Sequence, residues 1–215
     1  MPGPPSPSRA ERKEAARRLL ADFDLEAIRG WAAAEPQAVR SLQSLLYDED
    51  ELVRWRAVEA LGLVAAARAR SGLEPVRELL RRTLWLMNDE SGGLLWHGPQ
   101  VIGAVLANVP SLCGEFAPIV ASFLEEDPFR VGARWALWRL AEVRPDLPAG
   151  VAVALTASLA DRDPAVRGHA ALALLAARGD DLEALARDEA PLAVFDHRTG
   201  TLRATTVGAA ARGLL

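Results

Sequence analysis

The stretch "VRWRAVEAL" at 53–61 returns as "FRVGARWAL" at 129–137 and as "VRGHAALAL" at 166–174, in the common form [VF]-R-x-x-A-x-x-A-L. A fourth segment, "LWHGPQVIG" at 95–103, falls between the first two. Superposing Trp55 on Trp96 sets Glu59 on Gln100, Leu61 on Ile102 and Gly62 on Gly103. The place of Arg54 then recurs at Leu95, Arg130 and Arg167, in steps of 41, 35 and 37 residues. A period of this length belongs to stacked helical repeats, in which no copy can bury its apolar face alone. Within each copy the first apolar residue and the two alanines stand at i, i+4 and i+7, one face of a helix. Small residues there let a second helix come close.

An acidic turn precedes three of the copies: "YDEDE", "EEDP" and "DRDP". Asp50, Asp127 and Asp163 in those turns are expected to accept hydrogen bonds from the free N–H groups that open each helix. Before each turn lies another amphipathic run, "PQAVRSLQSLLY", "LEPVRELLRRTLWLM", "SLCGEFAPIVASFL" or "LPAGVAVALTASLA". The unit is helix, short turn, helix. On these motifs, "LLYDEDELVRWRAVEALG" and "ASLADRDPAVRGHAALALL" above all, residues 36–178 resemble HEAT repeats of the short bacterial type, also seen in phycobilisome-lyase-like proteins. The resemblance implies an all-α fold, a right-handed solenoid of about four repeats. It also implies that Asp50 with Arg54, Asp127 with Arg130 and Asp163 with Arg167 form a structural ladder between neighbouring repeats.

Outside the repeats the texture changes. Residues 1–8 are Pro-rich and expected to be disordered, and 9–35 are expected to form a helical cap, opened by the Ser8/Glu11 capping-box spacing and continued after Asp24. Residues 179–215 read as a second cap: a short helix in "GDDLEALARD", two β-prone runs around a Gly-containing turn in "PLAVFDHRTGTLRATTV", and a last helix in "TVGAAARGLL". Cys113 is the single cysteine, so no disulfide, thiolate cluster or CxxC pair can form. No leader-like apolar segment and no run of about 18 apolar residues is present, so a cytoplasmic protein without a membrane span is expected. A net charge of −4 argues against general affinity for nucleic acid, although one basic face is still open to it.

Candidate functional residues lie in two places. The second repeat replaces the compact turn by a longer loop, Asn88, Asp89, Glu90, Ser91, Gly92 and Gly93, with acceptors and freed backbone for a cation, an amine or a peptide. The second helices carry Trp55, Arg56, Glu59, Trp96, His97, Gln100, Arg134 and Trp138, expected to project to the concave side that such repeats use for binding. Arg56 with Glu59, and His97 with Gln100, are each three apart and are expected to make one polar stripe flanking Trp96. No catalytic motif stands out. The di-iron hydroxylases built on HEAT repeats use paired His-Glu motifs, and here His97, His169 and His197 are followed by Gly98, Ala170 and Arg198. The DNA alkylation-repeat glycosylases need a basic face that the overall charge disfavours. The expectation is therefore a non-catalytic interaction protein that binds a protein partner and needs no cofactor. The alternative is a chromophore or small-molecule handler with a Trp-lined pocket.

Overall fold

The computed structural model describes residues 7–88, 93–147, 150–179 and 182–215, and these are mostly helical. Eleven helices are present among them: α1 (Arg9–Asp22), α2 (Leu25–Ala34), α3 (Ala38–Leu45), α4 (Glu51–Ala69), α5 (Glu74–Met87), α6 (Gly98–Asn108), α7 (Cys113–Ser122), α8 (Arg130–Ala141), α9 (Val151–Ser158), α10 (Pro164–Arg178) and α11 (Val207–Ala211). Strands β1 (Pro191–Asp196) and β2 (Thr201–Thr206) form an antiparallel hairpin in which Phe195 faces Leu202.

Local signals explain most helix starts. The Ser8 hydroxyl accepts from the Glu11 N–H while the Glu11 carboxylate accepts from the Ser8 N–H, and Asp24 accepts from Glu26 and Ala27. Asp50 and Asp163 cap α4 and α10 through the N–H groups of Leu52 and Ala165. Asp127 does not cap α8: the residue before that helix is Phe129, and no side chain accepts there. The segment "GDDLEALARD" is shorter than a helix among the described residues, a single 3-10 turn at Glu183–Leu185.

The repeat copies become α4, α6, α8 and α10, and each packs on the next. Helices α3, α5, α7 and α9 pack along the other side of this row. Ala57, Ala133 and Ala170 are fully buried. The glycines seven residues past each tryptophan mark the crossings. A Cβ on Gly62 would stand 2.6 Å from the Ala104 carbonyl oxygen, and one on Gly103 would stand 2.6 Å from the Ala136 Cβ. Backbones approach there more closely than any side chain allows.

Acidic turns and arginines are coupled between neighbouring helix pairs, and of the three expected pairs only Asp127 with Arg130 comes within ion-pair distance among the described residues. Arg17 binds Asp48 at 3.3 Å, Arg130 binds Asp161 at 2.7 Å, and Arg167 binds Asp188 at 2.7 Å. In each case the acid is the residue whose other role is to accept the N–H two positions on, from Asp50, Asp163 or Ala190. The capping aspartates use their oxygens on helix N–H groups, which leaves the preceding turn acid to take the guanidinium. Arg54 and Arg167 also donate to the carbonyls of their own turns, Asp48 and Glu49 in one case, Asp161 and Arg162 in the other. Asp127 stands 4.0 Å from Arg130. The Asp163 N–H and the Arg130 guanidinium outweigh burial and hold the Asp161 carboxyl below the usual carboxylate range.

Candidate interaction site

The C-terminal hairpin lies against the row of repeat helices, and its tip fills the place where an open groove is expected. Phe195, at the end of β1, stacks on Trp55 of α4 with ring centroids 5.1 Å apart and planes 12° from parallel. Phe23 meets it edge-on at 6.5 Å and Trp135 of α8 lies at 6.4 Å, while the Trp135 indole N–H donates to the Phe195 carbonyl at 3.2 Å. Trp138 meets His197 at 5.6 Å. Offset and edge-on geometries of this kind add to the burial of the rings themselves.

Polar and ionic contacts hold the turn. Glu142, just past α8, takes His197 at 3.0 Å with one oxygen and Arg198 at 2.6 Å with the other. Arg139 links Glu142, at 3.7 Å, to Glu59, at 3.3 Å. Asp196 accepts from the Arg198 N–H and the Thr199 hydroxyl, which closes the turn. Gly200 has φ of +65°, a conformation natural to glycine, and a Cβ there would run into the Phe23 ring.

These contacts relocate most of the predicted residues. Trp55 is half-buried inside the aromatic cluster, with its indole Nε1 buried and without a partner. Arg56 is not free: it donates to Gly200 at 2.9 Å and to the carbonyls of Leu20 and Ala21, and lies over the Phe23 ring. Glu59 is buried on Arg139, and Gln100 is buried against Gly132 with its Oε1 unpartnered. Arg134 is 1% exposed and donates to the carbonyls of Leu124 and Arg130, the Ser158 hydroxyl and Glu125. Trp138 is buried too. The expected polar stripe is therefore not a free surface, because neighbouring helices, the N-terminal helices and the hairpin cover its members separately.

Trp96 and His97 exchange their expected places. Helix α6 opens at Gly98 and Pro99, where the missing proline N–H is not needed, so Trp96 falls in the turn before it. His97 is the ring that meets Trp55, edge-on at 5.3 Å. Burial, helped by the nearby Arg54 charge, pushes its pKa down to about 4. His97 is thus neutral at neutral pH. An unfolded chain takes up the proton at about pH 6.5 that the folded chain refuses, so stability is complete at pH 7 and is lost as pH falls from about 6.5 toward 4, by about 1.4 kcal/mol per unit of separation. His169, buried and bonded to the Ala165 carbonyl, acts in the same direction. Imidazole NMR titration is expected to place the His97 midpoint near 4; a midpoint near 6.5 would contradict this packing.

What remains accessible is a rim. Trp96 is 62% exposed, Trp85 67% and Tyr47 48%, in a chain whose other tryptophans are mostly covered. Trp85 and Trp96 flank the hydrogen bond from the Leu95 N–H to the Leu86 carbonyl that draws the two ends of the loop together. The Tyr47 hydroxyl donates to the Gly93 carbonyl at 2.9 Å, which brings the third ring to the same loop. Asn88 ends α5 and donates to the Leu84 carbonyl at 2.8 Å. Asp89 and Glu90 lie outside the described residues. Tyr47 and Trp85 carried no repeat signal and Trp96 was matched to Trp55, but the position of all three beside the one turn that departs from the acidic pattern was visible.

Among the described residues no group of three or more His, Cys, Asp or Glu side chains could hold a metal, and no single helix is long and apolar enough to cross a membrane. No protein-family model matches the chain, and no curated protein matches it. A crystal structure of an engineered protein is similar at 20% identity with a TM-score of 0.49, over 80% of this chain and 75% of that one. So distant a likeness says nothing about function.

Proposed function

We propose that this is a non-catalytic interaction protein, a right-handed α-solenoid of HEAT-like repeats that binds a protein partner at the aromatic rim around the Asn88–Gly93 loop. The observation that carries this reading is the exposure of Tyr47, Trp85 and Trp96 together at that loop. Large rigid rings held in water cost apolar hydration and supply most of the energy when a partner covers them. Trp55, Arg56, Glu59, Gln100, Arg134 and Trp138 support the surface from within, since each is engaged by the protein's own helices or hairpin. The small-molecule alternative loses its main support, because Phe195 occupies the space beside Trp55 that a chromophore would need.

The test is the double substitution Trp85→Ala/Trp96→Ala, compared with the parent in crosslinking and affinity capture from the native cell. Both side chains are exposed, so the melting temperature is expected to stay within a few degrees. The partner captured by the parent should weaken at least about tenfold, the loss of a modest hot spot of about 1.4 kcal/mol or more. Capture of the same partner at undiminished strength by the folded variant removes the rim from the function.

A further inference from the structure

Between α3 and α5, beside the C-terminal end of α4, lies an open, polar cleft of about 210 Å³. Three arginines reach it from three helices: Arg40 from α3, Arg68 from α4 and Arg82 from α5. Other arginines packed between elements are matched with carboxylates, as at Asp48, Asp161 and Asp188, or with several carbonyls, as Arg56 is. Here they are not. Arg40 and Arg82 have no hydrogen bond or ion pair among the described residues, and Arg68 has a single long one, 3.3 Å to the Pro36 carbonyl. The one carboxylate in the lining, Glu78, is 74% exposed and turned to Arg81 at 3.7 Å.

A second observation points into the same place. The side-chain amide nitrogen of Gln43, three residues after Arg40 on α3, is buried without any acceptor. A buried donor left unpaired costs about 1 to 3 kcal/mol, and a turn of the amide toward the cleft lets a ligand oxygen recover that loss. The cleft thus brings three cationic donors against a single carboxylate, within a chain of net charge −4. Arg40 also lines an adjoining smaller cleft with Arg9 and Arg12, which extends the positive field along the outer helices. Like charges brought together in a concave site repel one another unless an anion lies between them, and the planar guanidinium fork matches a tetrahedral oxyanion.

We propose that the cleft between α3 and α5 binds a phosphate group, with Arg40, Arg68 and Arg82 as its charge partners and Gln43 as the neutral donor that fixes its orientation. The site adjoins the aromatic rim on α5, where Trp85 stands three residues past Arg82, but its test does not depend on the function assigned to the rim. It also gives the one basic face that an acidic chain still leaves open a definite location.

Titration calorimetry with inorganic phosphate, at constant ionic strength with chloride as the control anion, tests it on the full chain. Co-flotation with vesicles of phosphatidylcholine and phosphatidic acid forms the second arm. Arg40→Gln/Arg82→Gln is the variant; both residues are exposed, so its melting temperature should match the parent's in phosphate-free buffer. Saturable phosphate binding by the parent, weakened at least about tenfold in the variant, supports a free phosphate-bearing ligand. Flotation without phosphate binding in solution, again lost in the variant, supports the same cleft with a lipid headgroup as its ligand. If the parent responds to neither probe, or the variant binds as tightly as the parent, the proposal is overturned.

Discussion

Replacing Phe195 by Ala is expected to destabilise the protein by about 3 to 5 kcal/mol, the range for emptying a buried aromatic site that cannot collapse. Phe195 is 1% exposed and stands among Trp55, Trp135 and Phe23. Those three rings come from separate parts of the chain, and each is held by its own helix or cap, so they cannot all move inward to close the void. Loss of the stacked ring also uncovers Trp55, and tryptophan emission should shift to the red in the folded variant. Phe195→Leu keeps much of the volume and should cost less than half as much. Urea unfolding with a midpoint unchanged by Phe195→Ala would mean that the hairpin tip does not occupy the aromatic cluster.

The second large effect is expected at Arg139. Its guanidinium is the cation next to Glu59, whose side chain is only 6% exposed, and it also stands near Glu142. Arg139→Ala leaves the Glu59 carboxylate buried without a counter-charge, and breaking a buried pair in this way costs about 3 to 5 kcal/mol. Replacing both partners is different. Glu59→Gln/Arg139→Met removes the charges together and should recover most of that loss, since the pair's mutual attraction does little more than offset its own desolvation. The contrast is read from a double-mutant cycle of Glu59→Gln, Arg139→Met and the double variant. A loss in the double variant equal to the sum of the two single losses would show that the two side chains do not depend on each other.

Much of the helical arrangement was legible because it is written in local terms. A recurring apolar–alanine face predicts which sides of α4, α8 and α10 are buried, and Ala57, Ala133 and Ala170 are there at zero exposure. Caps at Ser8, Asp24, Asp50 and Asp163 and a hairpin near 192–206 follow from side-chain acceptors and turn chemistry within a few residues. The site was legible only in outline. Spacing of three residues says that Arg56 and Glu59 share a face, but not that the face meets a hairpin from the far end of the chain. Matching Trp96 to Trp55 by letter overlooked the helix start imposed by Pro99, which sets His97 against Trp55 and leaves Trp96 in water. The ladder was misplaced for a related reason: in the turns at Asp48–Asp50 and Asp161–Asp163 the cap uses one aspartate, and the sequence does not say that the one left over takes an arginine from the neighbouring helix pair.

The hairpin has one more consequence, for how the molecule comes apart. A row of helix pairs in which each touches only its neighbours behaves as a one-dimensional chain and frays from its ends. Here Arg56 reaches Gly200 across 144 residues, and Phe23, between the first two helices, packs on Phe195. The first and last elements are thus fastened to one another, so peeling either end strips contacts from the other, and the two ends share one unfolding transition in place of two independent ones. The same fastening is far more non-local than the helix–helix contacts, which puts its formation late in folding, after the local helix pairs are in place to receive it.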